Sequence, residues 1–184
     1  RSRRQRQMCI RDSLTPDDLE NWLMARSQKH VHAGVLDLQA LNQDIVTLKI
    51  EASSNSSDRN RLAFVRFDDN KDILSVNGIH ADGSEAFQDA VRQSMIEPNQ
   101  QQIELSGSSS STVEWTLQSA DLGLYAPVLV TNDGAIHTAS NLSADASAGH
   151  LKLLGINHFG FEDTLDHDDS DWDYNDLTVR VSVL

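Results

Sequence analysis

Leu177-Thr178-Val179-Arg180-Val181-Ser182-Val183 alternates apolar and polar residues without a break. Leu177, Val179, Val181 and Val183 fall on one face, and Thr178, Arg180 and Ser182 on the other. That period of two marks a strand with one buried side. The same texture runs upstream in short β segments separated by polar turns: Val35–Leu38, Ile45–Ile50, Leu62–Phe67, Ile73–Ile79, Gln101–Leu105, Thr112–Leu117, Tyr125–Thr131 and His150–Ile156. Asp68-Asp69-Asn70, Ala81-Asp82-Gly83-Ser84 and Asn132-Asp133-Gly134 read as turns, the last leading a hairpin into Ile136. Ser53–Asn60 and the serine run Ser106–Ser111 read as polar loops, as does Asn141–Gly149.

One segment breaks the β pattern. Ser84 caps a predicted helix over Glu85–Met95, with Phe87, Val91 and Met95 on one face and Pro98 ending it. About nine or ten strands with one helix predict an all-β fold, an antiparallel β-sandwich of jelly-roll type with one inserted short helix. No sequence period recurs, which excludes a solenoid or propeller.

The chain has 184 residues, enough for one domain with a real core. No apolar run approaches the length of a membrane-spanning helix. The net charge of −13 argues against nucleic acid, whose phosphates need a basic face, and points toward cations or simply toward solubility. This charge is unevenly placed. Residues 1–13 carry five arginines and one aspartate of the chain's 15 Lys+Arg and 28 Asp+Glu. The remainder holds 10 against 27, a net −17.

The string Arg3-Arg4-Gln5-Arg6-Gln7-Met8-Cys9-Ile10-Arg11-Asp12-Ser13 resembles a transposase-type sequencing adapter translated in one frame. Residues 1–13 are therefore set aside as adapter-derived. With them go Cys9, the single cysteine, and the basic arm. On this reading the native N-terminus lies elsewhere, and the lack of a signal peptide carries no information on localisation. Residues 14–34 read as a linker helix and linker, with Thr15 as N-cap and Pro16 at the first helical position. His30 and His32 form an H-x-H pair without a third ligand nearby. Residues 35–184 form the expected β-sandwich domain.

Between the last two strands lies Glu162-Asp163-Thr164-Leu165-Asp166-His167-Asp168-Asp169-Ser170-Asp171-Trp172-Asp173-Tyr174-Asn175-Asp176, with eight carboxylates in fifteen residues and no lysine or arginine. Aromatic residues interrupt the run, and a core strand follows it at once. The loop is thus held at both ends rather than trailing as a solvated tail. Two charges about 4 Å apart repel by roughly 4 kcal/mol at an effective dielectric near 20. The loop must splay into solvent, protonate, or bind a cation. Oxygen ligands without cysteine suit Ca²⁺. Asp169, Asp171, Asp173 and Asn175 alternate as in the first half of an EF-hand loop. Asp176 nevertheless stands where that motif needs glycine, and Ser182 where it needs glutamate. Glu162 or Asp163 would supply the bidentate ligand instead. The candidate metal ligands are Glu162, Asp163, Asp169, Asp171, Asp173, Asn175 and Asp176.

Gly160-Phe161-Glu162-Asp163, followed by Asp171-x-Asp173-Tyr174-Asn175-Asp176-Leu177 and a closing strand, resembles a bacterial C-terminal module known as domain of unknown function 4114. Val35-Leu36-Asp37-Leu38, Ala63–Phe67, Val76–Ile79, Tyr125–Val128 and Leu153–Gly155 fit the same texture. The resemblance implies a module of a larger secreted or cell-surface bacterial protein, beside calcium-dependent or adhesive domains. It also implies that the matched acids serve metal binding or an enzymatic activity. Thr164–Ser170 departs from the family, which has a shorter glycine-rich connection there.

Three functions follow. One is a calcium-binding, non-catalytic, adhesive module whose partners are calcium and a glycan or cell-surface protein. The second is a hydrolase using paired carboxylates, Glu162 and Asp171 first. No nucleophile motif supports it. The third is a carbohydrate-binding module with Trp115 or Trp172 stacking on sugar, although Trp115 shares its face with Val113 and Leu117 and reads as core.

Overall fold

The computed structural model describes residues 34–39, 41, 43–68, 73–140, 150–155, 157–163 and 173–184. Residues 1–33, and with them the expected linker helix, His30 and His32, lie outside the described residues. So do Asp166, His167, Asp168, Asp169, Asp171 and Trp172 of the acidic run.

Thirteen strands and one α-helix are described, with short 3-10 turns at Pro98–Gln100 and Ser119–Asp121: β1 Leu36–Asp37, β2 Ile45–Ser54, β3 Asn60–Phe67, β4 Ser75–Val76, β5 Ile79–His80, α1 Glu85–Ser94, β6 Met95–Ile96, β7 Ile103–Leu105, β8 Ser109–Gln118, β9 Leu124–Val130, β10 Ile136–His137, β11 Leu151–Gly155, β12 His158–Phe161 and β13 Leu177–Val183. The fold is all-β, as the alternation predicts, and every strand pairing is antiparallel. One sheet runs β1-β9-β3-β6, with β7 also on β3 and β10 also on β9. The other runs β11-β12-β13-β2-β8.

The two sheets face each other over one core. Leu48, Ile50, Trp115, Phe159, Phe161, Val179 and Val181 from the second sheet meet Leu62, Phe64, Tyr125 and Leu129 from the first. Trp115 sits at its centre, its ring 5.1 Å from both Phe64 and Tyr125. It is a core residue, so it offers no surface for a sugar.

The first sheet is buried on its other face too. Ala63, Val65, Phe67, Ala126 and Val128 pack under Phe87, Ala90 and Val91 of α1. Burial on both sides explains why β3 and β9 read as nearly continuous apolar runs. Pro127 is tolerated within β9 for a geometric reason. Thr138 Oγ1 donates to its carbonyl (2.8 Å), so residue 127 turns its peptide edge away from β3, into the gap between the stretches paired by β1 and β10.

The helix begins where the cap predicts, with Ser84 Oγ accepting from Phe87 N–H (3.3 Å), and ends at Ser94 because Met95 turns extended and joins β3. Three expectations need correction. Ile73–Ile79 is not one strand but a small hairpin, β4–β5, turning on Asn77-Gly78 with φ of 52° and 77°. That Asn-Gly pair is the preferred two-residue turn, because both positions need positive φ. The serine run is not wholly loop: Ser109–Ser111 extend β8 against Ser54, Ser53 and Ala52. Likewise Ser53, Ser54 and Asn60 belong to strands, because β2 and β3 run longer than their apolar cores. No helix among the described residues is long and apolar enough to cross a membrane.

Candidate functional site

The described acids gather where β12 ends and β13 begins. These strands pair from His158↔Arg180 to Phe161↔Leu177, so Glu162 and Asp176 fall opposite each other just past the ladder. Phe161 and Leu177 point into the core. Alternation then turns Glu162 and Asp176 to the other side of the sheet. Their carboxyl groups lie close enough for Glu162 to be one of the groups that raise the Asp176 pKa.

Glu162 is enclosed, whereas Asp176 is half-buried. Glu162 is only 2% exposed. Tyr174 crosses above it with φ of 62° and donates its N–H to Glu162 Oε2 (3.3 Å). The crossing is close: a Cβ on Gly160 would lie 2.5 Å from the Tyr174 carbonyl oxygen, so only glycine lets the backbone pass over the strand there. Lys152 lies with its ammonium 4.8 Å from the centre of the Tyr174 ring, a cation–π contact. Among the described residues no lysine or arginine forms an ion pair with Glu162 or Asp176.

Burial is the main reason the Asp176 carboxyl resists ionisation, and Glu162 and Asp163 add to it. Together they push its pKa up to about 8, against a hydrogen bond from the Asp163 N–H (2.9 Å) that favours the charged form. Two facing carboxyl groups tolerate each other only by sharing a proton or a cation.

Asp163 points the opposite way. Its Oδ2 accepts from Ser56 Oγ (2.6 Å) and from Asn60 Nδ2 (2.7 Å). Asn60 is fully buried at the start of β3, so this carboxylate ties the second sheet to the first. Replacing Asp163 by alanine leaves the Asn60 amide buried without that acceptor. We expect a loss of about 2 kcal/mol, roughly 5 °C in Tm, read by thermal unfolding.

Asp173 accepts from its own loop, from Asn175 N–H (3.0 Å) and from the Asn175 side-chain amide. The Asn175 carbonyl in turn accepts from Asn55 N–H (3.2 Å), which pins the loop to the β2–β3 connection. The five described candidates therefore do not converge on one point. Glu162 and Asp176 form a pair, Asp163 braces the sheets, and Asp173 and Asn175 shape the turn. Among the described residues no three His, Cys, Asp or Glu side chains form a metal-holding group.

Two histidines near the site escaped the sequence reading. His150 Nδ1 lies 2.9 Å from the Glu162 carbonyl oxygen, and its ring stacks on His137 at 4.0 Å. Burial, then the neighbouring His150, lowers the His137 pKa to about 4, against the pull of Asp133 and Asp163. Ser56, Asn60, His137 and His150 carry no motif. Their only sequence signal is polarity beside apolar strands, and that reads equally as loop. No protein-family model, curated protein or solved structure matches the chain.

Proposed function

We propose that the chain is a calcium-stabilised, non-catalytic β-sandwich module akin to domain of unknown function 4114. It would serve in a larger secreted or cell-surface bacterial protein, with an adhesive role toward a glycan or a protein surface. One observation carries the calcium reading: the Glu162–Asp176 pair, two carboxyls held together with no lysine or arginine paired to either among the described residues. The donors are hard oxygens, the chemistry Ca²⁺ prefers. When bound, the ion would supply the positive charge that the pair lacks. Glu162 and Asp176 would hold it, while Gly160 and the Tyr174 N–H keep the Glu162 carboxylate in place. The acidic stretch 164–172 offers further oxygens by composition.

The hydrolase alternative is weaker at this pair. A retaining glycosidase needs its two carboxyls about 5 Å apart, and an inverting one needs more. Glu162 and Asp176 instead sit opposite each other just past the β12–β13 ladder, close enough for Glu162 to raise the Asp176 pKa, and Asp171 lies outside the described residues.

The test is calorimetric titration of CaCl₂ into chelator-stripped full chain at pH 7.5. We expect saturable binding, with Glu162→Gln weakening it at least tenfold. Absence of binding at millimolar calcium overturns the reading.

A further inference from the structure

We infer that the outer edge of β8 is a self-pairing surface for a second copy of this chain, held closed by the side chain of Asn99. Among the described residues β8 is the terminal strand of its sheet. It pairs with β2 through ten consecutive positions, from Ile45↔Gln118 to Ser54↔Ser109, with no shift of register. A long and regular strand at a sheet margin is a template for further pairing. Its sequence, Ser-Ser-Ser-Thr-Val-Glu-Trp-Thr-Leu-Gln, carries one charge and no proline to prevent that.

The chain supplies a local block. β6 and β7 both lie on the same side of β3, pairing with Val65 and Phe64 and with Leu62 to Asn60. Together they would make one continuous margin of the first sheet, but residues 97–102 leave it between them. This excursion reaches the margin of the other sheet at Asn99. Asn99 Nδ2 donates to the Glu114 carbonyl (2.8 Å), and Asn99 Oδ1 accepts from the Thr116 N–H (3.2 Å). Those are the donor and acceptor that an added strand would engage. The amide thus occupies the middle of the β8 edge.

The backbone of the excursion is shaped for this contact. Asn99 and Gln100 are consecutive non-glycine residues with φ of 48° and 60°. Both Asn99 and Gln100 are exposed, so no core packing of their own side chains requires the left-handed turn. Pro98 beside them is buried and anchors it. Asparagine accepts that conformation more readily than most residues, and here its side chain makes two bonds from it. The partner that fits the freed edge is another β8. Each copy carries the same ten-residue strand, and two antiparallel copies make a closed, two-fold contact.

The test is Asn99→Gly, which suits the positive φ and keeps the turn while deleting the amide. We expect wild type to sediment as a monomer. Asn99→Gly should associate to a dimer at least tenfold more tightly, with an unchanged far-UV spectrum. At low concentration its Thr116 amide should exchange at least tenfold faster than in wild type, and slow again as dimer forms. Asn99→Asp, which keeps the acceptor for Thr116 and loses the donor to Glu114, should fall between. An Asn99→Gly protein that stays monomeric wherever wild type does overturns the inference. So does a wild type that already pairs as tightly as the variant.

Discussion

Replacing Asp176 by asparagine should remove the chain's calcium response and flatten its pH response above pH 6.5. Asparagine reproduces the protonated acid in shape. Its oxygen still accepts from Asp163 N–H, and its amide donates toward Glu162. Asp176 has a folded pKa near 8 against 3.8 when unfolded, so the folded state binds the extra proton. Stability then falls as pH rises from about 4 to 8. His137 runs oppositely. Its folded value near 4 lies below the ordinary 6.5, so it withdraws stability as pH falls through that window. His158, lowered by burial and then by Arg180, acts in the same sense.

Between pH 4 and 6.5 these effects oppose each other. From pH 6.5 to 8 Asp176 acts without the histidines. Discounted for its partial exposure, the loss there is about 1 kcal/mol, roughly 3 °C in Tm. Calcium in place of the proton should abolish that slope. At a hundred times its Kd it should add about 2.7 kcal/mol, or roughly 8 °C. Melting curves of wild type and Asp176→Asn, at pH 6.5 and 8 and with and without calcium, check all four corners. A variant that still gains stability from calcium would move the ion elsewhere.

Trp115→Ala should be the most damaging core substitution. The indole is 4% exposed and touches Phe64 and Tyr125 across the sandwich, so its loss opens a cavity between two sheets that cannot close on each other. Large aromatic deletions of this kind cost about 3–5 kcal/mol. That corresponds to a fall of roughly 10 °C in the unfolding midpoint. Calcium binding should survive below that temperature, because Trp115 lies on β8, away from the acidic pair. A variant within about 1 kcal/mol of wild type would contradict the packing described.

What the sequence makes legible follows from periodicity. Leu177–Val183 has the same bounds in sequence and structure because each apolar residue has a buried counterpart across the sandwich. The cap of α1 and the Asn132-Asp133-Gly134 hairpin are equally local. Ser109–Ser111 is a strand only because β2 extends to meet it, a fact about the partner rather than about serine. The acidic run shows its charge but not its division. Glu162 and Asp163 are neighbours in sequence just past β12, and their side chains leave the chain on opposite sides. The first meets Asp176, while the second meets Ser56 and Asn60 some hundred positions earlier.

The place of β13 also bears on how the chain is made. It lies between β12 and β2, strands separated by more than a hundred residues of sequence, and so joins the two halves of the sheet. During synthesis β2 and β8 emerge early and can pair, but nothing bridges them to β11 and β12 until residues 177–183 arrive. Closure of this sheet is therefore a late and non-local event, of the kind that makes folding slow. Glu162 and Asp176 are brought face to face only in that same step. A cation held between them would act on the final zippering of the sheet and leave its earlier pairings untouched.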